Sequence, residues 1–145
     1  MACRSALLAG SALSSFVVAG LHVGIIAVGA PAYRYTGAGE TMVRLAEQGS
    51  TLPALLTSVV LGLFVLAGLY PLSAAGWLPR LPFVRIGLVC IAVVYTARGL
   101  ALPVQLAQSG PTGPPTRELV FSAISLAIGL VYFAATVVAW ARLHE

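Results

Sequence analysis

The chain has no lysine and no aspartate, and only four glutamates stand against its eight arginines. Charged residues make up 8% of its 145 positions, against roughly a quarter in an ordinary soluble domain, so a water-soluble surface cannot be assembled from this composition. Cysteine is equally scarce. Cys3 and Cys90 form neither a CxxC pair nor a metal-ligand spacing, which excludes a thiol oxidoreductase of the four-helix membrane type. Cys90, inside an apolar run, reads as a small packing residue. No motif implies a cofactor or a metal. The net charge of +4 rests on arginines scattered singly at the ends of apolar runs. That is the pattern of topology signals and headgroup contacts, and it argues against nucleic acid as a partner.

What the chain has in abundance is apolar length, with 59% hydrophobic residues. A bilayer presents about 30 Å of hydrocarbon, which a helix rising about 1.5 Å per residue crosses in roughly 20 residues. Four such runs fit. The expected fold is therefore all-α, a polytopic membrane protein with a four-transmembrane-helix up-and-down bundle and a short interfacial helix in its first loop. The spans fall at 5–30, 53–76, 81–104 and 117–141, with a surface loop and helix at 31–52 and a Pro- and Gly-rich loop at 105–116. Span one exceeds the 7 to 15 apolar residues of a signal peptide and reads as a retained helix. Trp77 to Pro82 make a tight turn, so spans two and three are expected to be antiparallel neighbours.

In the first loop Glu40, Arg44 and Glu47 share one helical face while Met42, Leu45 and Ala46 share another, and Gly49 supplies a stop. This segment is expected to lie on the membrane surface, with Tyr33, Arg34, Tyr35, Glu40, Arg44 and Glu47 forming a lid. Arg4, Arg80, Arg85 and Arg142 outnumber Arg34, Arg44 and Arg117 across the two sides, which places both termini in the cytoplasm. Arginine without lysine, together with abundant alanine, fits a GC-rich bacterial genome and hence the inner membrane.

Polar groups at membrane depth are costly and mark candidate sites. His22 lies about 12 Å and Arg98 about 9 Å inside the ends of their spans, in the same leaflet, opposite the termini. On span one Ser11, Ser15, His22 and Gly29 share a face. On span three Tyr95, Arg98 and Gln105 fall within an arc of about 80°. On span four Glu118, Ser122, Ser125, Gly129, Tyr132 and Thr136 recur at spacings of four and three, a sustained polar lane. Lipid solvates none of these groups, so the lanes are expected to face one another or a wet cavity. Glu118 is the natural counter-ion for Arg98, and the expected ligand-binding set is His22, Tyr95, Arg98, Gln105, Glu118, Ser122 and Ser125. The plainer alternative is that such Ser, Thr and Gly lanes are helix-packing surfaces and that the ionic groups hold register. Gly20 and Gly24 form a GxxxG suited to a further helix contact or a homodimer.

Three functions remain. The first is a binding or assembly protein that holds a lipid-like or small hydrophobic ligand in a polar pocket, or joins a membrane complex as a homo-oligomer or with a membrane partner. The second is a proton-coupled transporter resting on His22 or Glu118; small four-span exporters use a carboxylate in the first helix, and span one has none. The third is an enzyme with His22 as general base and Arg98 holding an anion, which lacks a nucleophile beside a base and a second intramembrane histidine. The balance leans away from an enzyme.

Overall fold

The computed structural model describes residues 2–108 and 116–142; the side chains at 2, 102, 105, 106, 108 and 142 lie outside the described residues, as do residues 109–115 of the loop expected at 105–116, whose first four residues are helical. Every regular element among the described residues is helical. In order they are α1 (Ala2–Val28), α2 (Ala30–Thr36), α3 (Glu40–Glu47), α4 (Leu52–Ala75), α5 (Val84–Gly99), α6 (Ala101–Gln108) and α7 (Thr116–Ala139), followed by a 3-10 turn at Trp140–Arg142. By length and composition α1, α4 and α7 can cross a membrane.

The expected third span is not among them, and among the described residues the count of helices long and apolar enough is three rather than four. Helix α5 has 16 residues. At about 1.5 Å per residue that is about 24 Å, short of the roughly 30 Å of hydrocarbon. The cause is local. Pro103 has no backbone N–H, and in a continuous helix its ring would press on the carbonyl of Gly99. The helix therefore ends at Gly99, the chain turns at Leu100, and α6 restarts with Pro103 in its first turn, where a missing donor costs nothing. At the other end Phe83 takes a left-handed conformation (φ 55°) just before α5, which delays its start beyond Leu81.

Residues 31–39 were expected as loop, yet most of them form α2. Pro31 sits in the first turn, the position it tolerates best. Helix α3 follows the expected pattern: Glu40, Arg44 and Glu47 are exposed, Met42, Leu45 and Ala46 half-buried, and Val43 buried. Its end is a glycine-dependent cap. Gly49 has φ 74°, its N–H bonds the Ala46 carbonyl at 3.1 Å, and the next N–H, of Ser50, reaches back to Leu45 at 3.0 Å.

The chain divides into two compact units, residues 14–68 and residues 1–13 with 69–145. In the first, α2 and α3 pack as a hairpin. Phe16 fills the space beside Gly68, where a Cβ would come within 2.7 Å of its ring.

In the second unit α5 runs antiparallel to α7. Gly99 meets Leu126, Thr96 meets Gly129, Tyr95 meets Tyr132 and Arg85 meets Trp140, so positions rise on one helix as they fall on the other. The tight turn expected at 77–82 is held by one hydroxyl: Ser73 Oγ donates to the Pro79 carbonyl (3.1 Å) and accepts from the Leu81 N–H (2.9 Å). Leu8 of α1 packs on Ala135 and Ala139 with Leu7, Ala74 and Ala75 around it. Both cysteines are unbonded and exposed, so Cys90 faces outward from α5 rather than into packing.

Candidate functional site

Within residues 14–68, His22 is half-buried on α1. Its Nδ1–H donates to the Val18 carbonyl at 2.7 Å, one turn back, since a carbonyl can only accept. The imidazole lies 4.9 Å from the Phe64 ring at 41°. Among the expected lid residues Tyr33 alone is buried. Its hydroxyl is hydrogen-bonded to Thr57 Oγ1 at 3.2 Å, and Thr57 also bonds the Pro53 carbonyl at 2.8 Å, so the chain tyrosine–threonine–carbonyl fastens α2 to the start of α4. Arg34 pairs with Glu47 across the hairpin, with both side chains about half exposed or more. Tyr35, Glu40 and Arg44 are exposed.

The second unit holds the rest of the expected set. Tyr95 is buried and stacks on fully buried Tyr132, centroids 5.7 Å apart at 21°. Ser122, Ser125, Gly129 and Thr136 are buried along the α7 lane. Ser125 Oγ donates to the Phe121 carbonyl (2.8 Å) and Thr136 Oγ1 to that of Tyr132 (2.7 Å). Each hydroxyl is thus satisfied one turn back on its own helix, as a buried polar group requires.

What faces the lane is the backbone of α5 at contact distance. A Cβ at Gly99 would sit 2.5 Å from Leu126, and one at Gly129 would sit 2.5 Å from Thr96 Oγ1 and 2.7 Å from its backbone nitrogen. Small residues on both helices allow that approach.

Arg98 is exposed on α5 and Glu118 half-buried on α7, and no ion pair joins them. The geometry explains the split. The buried face of α5 runs through Leu88, Ala92, Tyr95 and Gly99, and Arg98, at about 100° per residue, falls on its flank. The side chain of Gln105 lies outside the described residues. Among the described residues no group of three His, Cys, Asp or Glu side chains gathers to hold a metal.

Sequence reasoning missed a groove. Alongside the line of close contact between α5 and α7, a cleft of about 680 Å³ opens along Val89, Val93, Ala97 and Leu100 on one side and Phe133, Val137 and Trp140 on the other. Ala92, Thr96 and Thr136 also line it. Among the described side chains, none of those expected to bind a ligand does. Its signal was present but mute: Val89, Val93 and Ala97 recur every four residues, and so do Phe133 and Val137, as any lipid-facing stripe would.

At its end Arg85 stands over the Trp140 ring, 5.0 Å from the centroid, and its Nη2 donates to the Trp140 carbonyl at 3.3 Å. No known family model, curated protein or solved structure matches this chain, so function rests on this geometry.

Proposed function

We propose that the chain is an integral membrane protein that acts as a binding or assembly subunit, holding a lipid-like or small hydrophobic ligand against the α5–α7 pair. The observation that carries this reading is the apolar groove of about 680 Å³ between those two helices. Apolar pockets of roughly 300–1,000 Å³ are the usual seats of small hydrophobic ligands. Thr136, one of the two hydroxyl side chains that line it, spends its hydroxyl on its own helix.

Four crossings belong to the same reading. Because α5 lies alongside α7 from Trp140 to Leu126, any membrane that α7 crosses also surrounds α5. Together α5 and α6 supply the length that α5 lacks. The excess of arginines at one side then sets both termini in the cytoplasm, in the inner membrane of a bacterium.

The test is native mass spectrometry of the full chain purified in mild detergent. Wild type is expected to carry an apolar adduct that Val93→Trp, which fills the groove from an exposed position, removes while the protein stays folded. Wild type without an adduct, or an adduct unchanged in the variant, would overturn the reading.

A further inference from the structure

The groove is apolar along its length, and a cation, Arg85, stands on the residue that ends it, Trp140; this asymmetry points to an occupant with the complementary one. Arg85 lies one helical turn before Val89 and on the same face, so it stands at the mouth of the groove beside Trp140. Its guanidinium has five N–H donors and, among the described residues, makes a single hydrogen bond, to the Trp140 carbonyl. Its Nε is buried without a partner among the described residues.

The first turn of α5 adds to this. Neither Phe83 nor any acidic side chain caps it, so its free N–H groups and the positive end of the helix dipole face the same mouth. Arg80 in the preceding turn and Arg4, one turn outside Leu8, belong to the same end of this unit. Glu118, the acid of this unit among the described residues, stands at the opposite end of α7.

Length selects the apolar part. From Val89 to Leu100 the groove runs about 16 Å along α5, close to the roughly 15 Å depth of one leaflet. A helix of a second copy would need the full thickness. An acyl chain needs only its own leaflet.

Deepening the proposed ligand-binding role, and resting on it, we infer that the occupant is an anionic phospholipid: one acyl chain along Val89, Val93 and Phe133, its phosphate on Arg85 and the first turn of α5, its interfacial region against the Trp140 ring. A tryptophan at that level and arginines beside it suit the headgroup boundary.

The experiment uses the delipidated full chain in nanodiscs or detergent, titrated with phosphatidylglycerol, with phosphatidylcholine of the same acyl chains, and with glycerol phosphate alone. Wild type is expected to retain phosphatidylglycerol about fivefold more strongly than phosphatidylcholine, a preference lost in Arg85→Gln and kept in Arg85→Lys. Glycerol phosphate alone is expected not to bind, since it leaves the groove empty.

Equal retention of both lipids by wild type, with Val93→Trp still abolishing it, overturns the headgroup assignment and leaves the ligand-binding role standing. Retention that neither Arg85→Gln nor Val93→Trp alters means annular lipid only, and both readings fall. Because wild type alone decides the lipid preference, a misfolded Arg85→Gln leaves the inference falsifiable.

Discussion

Helices α5 and α7 meet twice, in opposite ways. From Gly99 and Leu126 to Thr96 and Gly129 the backbones touch, and even a methyl group would clash. From Val89 to Leu100 and Phe133 to Trp140, on the neighbouring face, they part and leave the groove. The difference lies in side-chain size. Glycine and serine draw two helices together, whereas valine, phenylalanine and tryptophan beside a pair of small residues hold their outer edges apart. One helix pair thereby supplies both the stability and the concave surface.

The strongest way to break this contrast is Gly129→Leu. The added side chain meets the Thr96 backbone, which cannot swing away as a side-chain tip would, so unfolding in detergent micelles is expected to become easier by about 3 kcal/mol or more. An unchanged midpoint would show that α5 and α7 are not in contact there.

A smaller effect is expected in the other unit. Thr57→Val leaves the buried Tyr33 hydroxyl without its partner and is expected to cost about 1–2 kcal/mol, read by the same assay. Tyr33→Phe in the Thr57→Val background should restore most of that loss.

The least effect is expected at the surface. Arg34 and Glu47 have side chains 62% and 49% exposed, so a double-mutant cycle on the pair should give a coupling of about 0.5 kcal/mol or less. A coupling well above that would mean the α2–α3 hairpin is shielded from water.

The sequence made the helical class and three of the long apolar helices legible, because length and composition alone decide them. It made the α7 lane legible too: Ser122, Ser125, Gly129, Tyr132 and Thr136 are buried together as their spacing requires. What the spacing could not tell is what lies opposite. A buried hydroxyl facing water lines a site, whereas one facing Gly99 is packing, and only the register between two helices distinguishes them.

The break in the third apolar run escaped notice for a different reason. Counting apolar residues from Leu81 to Val104 ignores the steric demand that Pro103 places on Gly99. Arg98, read as an inward charge, depends on a rotation of about 60° from Tyr95, a margin that periodicity alone does not resolve. The groove escaped notice because a stripe of valines looks the same whether it borders lipid or a cleft.

The outward position of Cys90 has a practical side. With Cys3 replaced by serine, the chain carries a single native thiol partway along α5, exposed and unbonded. A nitroxide attached there would sense oxygen and water at that depth without any engineered residue, turning an unremarkable thiol into a gauge of where α5 sits in the bilayer.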